Sequence, residues 1–249
     1  AVYLHQGETY VVASLDLERG IARLLPHIED YYTQPRSETD IEVLRVVARG
    51  PRAQPDQGGV VDWLPPGVAL GDVRVTHTVT SYVRKRYFSE AVLEERPLDL
   101  PETSYVTQAV WFDAEGLTGA PSAADMPAAL HALEHTLIQL LPAFVLCERA
   151  DVGGVSYPLY PLTGGPMVFV YDGYPGGVGY AWAGAHAFGD WLRAARDLLA
   201  ACDCKSGCPR CVLSPKCGNG NQYLDKGAAR VLADALLGRV GEAPRALSA

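Results

Sequence analysis

The sequence has no uninterrupted apolar run approaching the roughly 20 residues a membrane-spanning helix needs, so a membrane span is not expected. Its first residues, Ala1-Val2-Tyr3-Leu4-His5-Gln6-Gly7, lack the basic and apolar regions of a signal peptide. An initiator Met is missing as well, and the expectation is a processed chain or one cut from something longer. Positive charge is scarce. The 21 Lys and Arg stand against 29 Asp and Glu, a formal net charge of −8, which argues against nonspecific attraction of the whole chain to nucleic acid. Such contact has to come from a local patch. Neither a Gly-x4-Gly-Lys-Ser/Thr loop nor an Asp-Glu-Ala-His-like box occurs, so this chain alone is not expected to hydrolyse ATP. Internal repeats and low-complexity blocks are absent too.

Hydrophobic residues make up 48% of the 249 and charged residues 20%, enough apolar material for a real core and too much for disorder. The first half carries β signals. Val2-Tyr3-Leu4 and Thr9 to Val12 flank Gln6-Gly7-Glu8 as a hairpin, Ile41 to Val47 and Val60 to Trp63 read as strands, and Tyr105 to Phe112 as another. Between Asp72 and Phe88 the pattern alternates. Val73, Val75, His77, Val79 and Val83 share one face; Arg74, Thr76, Thr78, Thr80, Tyr82, Arg84 and Arg86 share the other. Gly, Pro, Ser and Ala cluster from Gly116 to Asp125, and the character then changes. Leu130, Leu133, Leu137, Leu140, Leu141 and Phe144 recur at helical spacing, with Pro142 ending or kinking the helix. Met167 to Tyr171 reads as a buried strand, Phe188 to Leu199 as a helix, and Tyr223 to Val240 as the last one, before a tail after Gly241 expected to fray. The sum is an α+β chain, β-rich over 1–120 and mainly helical over 121–249, with a four-cysteine module at 202–226.

Cysteine usage carries the strongest chemical signal. Cys147 stands alone, while Cys202, Cys204, Cys208, Cys211 and Cys217 share one short window. Disulfides there would close only tiny loops, at awkward geometry, so a metal site in a reducing compartment is the better reading. Cys204-x3-Cys208-Pro-Arg-Cys211-x5-Cys217 supplies the four thiolates of a tetrahedral, structural Zn2+ site, one per chain, with Gly207 and Pro209 shaping the knuckle. Spacing leaves open whether Cys202 replaces Cys204.

The segment from Cys202 through Asn219, Asn221, Asp225 and Lys226 resembles the zinc-binding C-terminal domain of the MrfA-type helicases, a group of bacterial DEAD/DEAH-box repair helicases with fungal relatives of the RecQ-four type. Matches extend to Tyr3-Leu4-His5-Gln6-Gly7-Glu8, Asp30-Tyr31-Tyr32-Thr33-Gln34, His131-Ala132-Leu133-Glu134-His135, Asp151 to Gly154 and Tyr171 to Gly177, so the resemblance covers nearly the whole chain. It implies a cytoplasmic, nucleoid-associated accessory domain that positions or clamps a strand of single-stranded or tailed duplex DNA. The ATP-dependent 3′-to-5′ motor, with a role in DNA repair, would lie elsewhere in the same polypeptide.

Three other constellations compete for function. His131-x-x-Glu134-His135 is the inverted zinc-protease arrangement, with Glu148 or Asp151 as the nearby carboxylate for a metallohydrolase; the bland alternative is a polar helix edge. Tyr171-Asp172-Gly-Tyr174-Pro-Gly176-Gly177-Val-Gly179 lies between strand and helix, where glycine loops cradle phosphate, but no lysine follows it. Arg84 and Arg86 on the strand face, and Lys205, Arg210 and Lys216 in the zinc module, are the candidate strand contacts. If none of them binds DNA, the chain is a protein-docking module.

Overall fold

Apolar side chains at every second position bury one face of a strand, and an unbroken apolar run buries both. Both patterns are realised in the computed structural model, which describes residues 1–241; the tail after Gly241 lies outside them. The described residues form ten strands and four α-helices, an α+β arrangement with most strands preceding the helices. Two compact units divide them, one of residues 1–38 and 77–103, the other of residues 39–76 and from 104 onward. The composition shift near 120 therefore marks a change of element type, and compactness divides the chain elsewhere. The reason is the length of β4 (Tyr31–Arg49) and β6 (Val68–Arg86): each runs 19 residues and belongs to one unit at one end and to the other unit at the other.

In the first unit, β1 (Val2–His5), β2 (Glu8–Asp16) and β3 (Ile21–Pro26) form an antiparallel sheet in that order. Gln6 and Gly7 join β1 to β2 with φ of 51° and 85°, the two left-handed residues of a tight hairpin. β7 (Val92–Pro97) pairs antiparallel with the end of β6. The burial of Val73, Val75 and Val83 follows the alternation expected of β6, whereas Thr76 to Thr80 are half-buried on both faces.

The second unit holds the main core. Its sheet runs β5 (Gly59–Val60), β4, β6, β8 (Thr103–Asp113), β10 (Met167–Asp172), β9 (Val152–Tyr157). The strand expected over Val60 to Trp63 shrinks to β5, because Trp63 lies in a turn and stacks its ring on His186, centroids 4.2 Å apart. β10 and the last five residues of β8 are buried on both faces. Val110, Phe112, Val168 and Val170 point toward α1 (Met126–Leu140), α3 (Phe188–Ala201) and α4 (Lys226–Gly241), where Leu133, Leu137, Trp191, Leu192 and Leu232 complete one cluster. Trp111, Met167, Phe169 and Tyr171 point the other way, against Ile41, Val73, Val75 and Tyr160. Pro142 sits in a single 3-10 turn that ends α1, as its position suggests.

Candidate metal centre

The helix α3 ends at Ala201, and Cys202 caps it in an extended conformation while its N–H still reaches Leu198 O at 3.1 Å. The chain then folds into a knuckle. Gly207 has φ of +120°, and a Cβ there would stand 2.4 Å from the Val212 side chain, so glycine is required. The Cys208 carbonyl accepts the N–H groups of Cys211, Val212 and Leu213 at 3.0 to 3.2 Å, and the Cys208 N–H points at Cys211 Sγ, 3.3 Å away.

This turn gathers Cys202, Cys204, Cys208 and Cys211. The sulfur separations are 3.5 Å for Cys202–Cys204, 3.6 Å for Cys202–Cys208, 3.4 Å for Cys204–Cys211 and 3.7 Å for Cys208–Cys211. Four sulfurs placed 2.3 Å from a tetrahedral zinc lie about 3.8 Å apart, so the set fits that ion, and none of the pairs is a disulfide. Four thiolates around Zn2+ leave a charge of −2. The Lys226 ammonium sits beside it, donating to the carbonyls of Cys202 and Cys204, the latter at 2.8 Å.

The gathered group differs from the expected set by one residue: Cys204, Cys208 and Cys211 come together with Cys202, while Cys217 stands outside them. Asn221 is the physical reason. Its side-chain amide accepts from Ser214 N–H at 2.7 Å and donates to Ser214 O at 2.9 Å, closing a separate loop, and its own N–H points at Cys217 Sγ. That loop places Cys217 against α1, with Sγ 3.5 Å from His131 Nε2.

α1 supports the knuckle through His135, already marked by the sequence, and through Thr136 and Gln139, which it does not mark. His135 Nδ1 donates to Val212 O at 2.7 Å, Thr136 Oγ1 lies 3.1 Å from Cys211 O, and Gln139 Nε2 donates to Arg210 O. The carbonyls of Arg210 and Val212 are satisfied from one helix face, and the Thr136 hydroxyl is shared between Cys211 O and Ala132 O, the latter at 2.8 Å; the signal was polar residues at 135, 136 and 139 inside an apolar helix. The inverted zinc-protease arrangement is not assembled. Glu134 is buried and hydrogen-bonded with Ser156 of β9, and burial pushes its carboxyl up to about 8. Glu148 and Asp151 exchange hydrogen bonds across a 3-10 turn, and Asp151 also accepts from Tyr174. Burial pushes His135 down to about 4, so its ring is neutral.

The glycine-rich loop is already filled. Asp172, fully buried, accepts the N–H groups of Val178 and Gly179 at 2.7 Å and Tyr180 at 3.3 Å on Oδ2, and of Ala181 at 2.7 Å on Oδ1. The chain's own carboxylate occupies the place a phosphate would take. The basic strand face is largely paired: Arg84 with Glu94 at 2.7 Å and over the Tyr31 ring, Arg86 with Asp30 at 3.1 Å, and Arg74 with Glu42. In the zinc module Lys216 donates to Ala150 O at 2.9 Å, while Lys205 and Arg210 are exposed and carry no ion pair among the described residues.

Comparison with known proteins agrees with this centre. The profile of the MrfA Zn-binding domain matches residues 133–212, from α1 through the knuckle. Protein MJ1572.1 of Methanocaldococcus jannaschii is 34% identical over 111 residues, 43% of this chain and 99% of that protein. The ATP-dependent helicase YprA of Bacillus subtilis (strain 168) is 28% identical over 212 residues, 85% of this chain and 27% of the helicase. The crystal structure of the DUF1998 helicase MrfA bound to DNA superposes with a TM-score of 0.61 at 27% identity, covering 95% of this chain and 30% of the other. This chain thus spans less than a third of the helicases it resembles.

Proposed function

The chain belongs to the MrfA zinc-binding domain family, and from that premise we propose that it is the zinc-bearing accessory region of an ATP-dependent DNA helicase. The observation that carries the reading is the superposition of nearly the whole chain on a DNA-bound helicase about three times its length. In this reading one zinc at Cys202, Cys204, Cys208 and Cys211 fixes the knuckle between α3 and α4. The domain works beside motor domains of the same polypeptide, in the reducing cytoplasm where the nucleoid lies, and the parent translocates 3′ to 5′ in DNA repair. The free thiols favour that compartment.

Strand contact falls to the zinc module. Lys205 and Arg210 are exposed cations without acidic partners among the described residues, so a phosphate gains their full charge, whereas Arg84 and Arg86 must first leave Glu94 and Asp30. Those pairs, with the net charge of −8, favour a second reading in which the chain docks on protein and leaves DNA to the motor. Titration with single-stranded DNA across salt concentrations separates the two. Changing Lys205 and Arg210 together to Ala should weaken binding and reduce the salt slope by about 1.4, the value for two lost single-strand phosphate contacts. An unchanged slope removes these residues from the DNA path. Absence of salt-dependent binding by the unaltered chain leaves the docking reading.

A further inference from the structure

We propose that His131, His135 and Cys217 form a second zinc site, distinct from the four-cysteine centre. One ring nitrogen from each histidine and the Cys217 sulfur all lie within 4.8 Å of one another. The histidines are four residues apart on α1 and so project from one face, with ring centroids 4.4 Å apart.

The outer contacts leave the correct atoms free. His135 Nδ1 donates to Val212 O at 2.7 Å, and His131 Nδ1 faces Tyr223 O at 3.4 Å. A proton held on Nδ1 by a backbone carbonyl leaves the Nε2 lone pair for a metal and fixes the ring plane, the usual second layer around zinc-bound histidine. His131 Nε2 already points at Cys217 Sγ, 3.5 Å away, close to the separation of two donors on one tetrahedral ion. The sulfur also receives the Asn221 N–H at 3.3 Å. Cys217 Sγ donates to Asn219 Oδ1 at 2.9 Å, a proton the metal would displace, and water can take the fourth position.

Two neutral imidazoles and one thiolate suit a borderline ion such as Zn2+, which would carry a net charge of +1 here against −2 at the four-cysteine centre. The site is not hydrolytic, because Glu134 is engaged with Ser156 on β9. Its role is to tie the 217–223 loop to α1, giving each half of the cysteine segment its own metal. This explains why Cys217 stands apart from the other four, and it raises the expected count from one zinc per chain to two.

The test is elemental analysis of the full chain, reduced and dialysed to equilibrium against a zinc buffer. Two zinc per chain are expected. Cys217→Ser and His131→Ala should each bind one, Cys208→Ser should also bind one, and the Cys208→Ser/Cys217→Ser double variant none. With cobalt in place of zinc, Cys217→Ser should keep the intense thiolate charge-transfer bands of the four-cysteine centre and lose the weaker contribution of the mixed site. One zinc in the unaltered chain, or two retained in both Cys217→Ser and His131→Ala, overturns the proposal. The measurement on the unaltered chain decides the matter even if a variant fails to fold.

Discussion

Replacing Asp172 by Asn changes one oxygen to an amide nitrogen and removes a charge, with almost no change of shape. Four backbone N–H groups converge on the native carboxylate, three on Oδ2 and one on Oδ1. The variant settles with its remaining oxygen at the three-donor position, which sets its NH2 against the buried Ala181 N–H. One orphaned buried donor costs about 1–3 kcal/mol, and three charge-assisted bonds becoming neutral lose a further fraction each. Relief from burying a charge offsets part of this. The expected net loss is about 2–4 kcal/mol, a fall in melting temperature of about 5–15 °C for a chain of this size. Urea unfolding followed by circular dichroism at fixed zinc measures it, with Asp172→Ala as the harsher companion that leaves all four donors without an acceptor. A loss under about 0.5 kcal/mol for Asp172→Asn, the range of an ordinary surface substitution, would refute the view that this carboxylate organises the loop.

Two other outcomes follow from the same structure. Cys208→Ser should lose the zinc of the four-cysteine centre, whose binding is worth on the order of 10 kcal/mol in small modules. Proteolysis should then open the chain between 202 and 226 while β1 to β8 resist, and Cys147→Ser, outside both clusters, should leave the zinc content unchanged. At alkaline pH, burial raises the Tyr157 and Tyr171 phenols above their ordinary value of 10.0, so the folded state holds those protons more tightly than the unfolded state. Their contribution to stability is complete below pH 10 and is lost as pH rises beyond it. Tyrosinate absorbance from these two should appear only with unfolding, and Tyr171→Phe should persist to higher pH; ionisation of Tyr171 in an intact fold contradicts its burial.

β6 is legible in the sequence because one face only is buried near Val73 and Val75, and a period of two records that directly. α1 is legible for the same reason at a period of 3.6. β3, β7 and the first ten residues of β4 are harder to see, since their burial is shallow and leaves a weak hydrophobic pattern. The cysteine cluster announces a metal, yet spacing alone does not divide five thiols between two places. That division depends on Asn221 closing its loop on Ser214 and on His131, 86 residues before Cys217. The glycine-rich loop shows the converse limit. Its glycines are visible as a string, but that Asp172 fills their hollow depends on how strand and helix meet.

Lys226, the first residue of α4, grips the carbonyls of Cys202 and Cys204, so the last helix begins on the metal knuckle itself. Anything that binds only the folded form stabilises it by mass action, and each tenfold drop in free ligand toward the dissociation constant removes up to about 1.4 kcal/mol. The docking of α4 on α1 and α3 is therefore a function of the surrounding free-zinc concentration as well as of sequence. As zinc falls toward the dissociation constant of the knuckle, this helical layer should loosen first, making the C-terminal part of the domain a reporter of zinc supply.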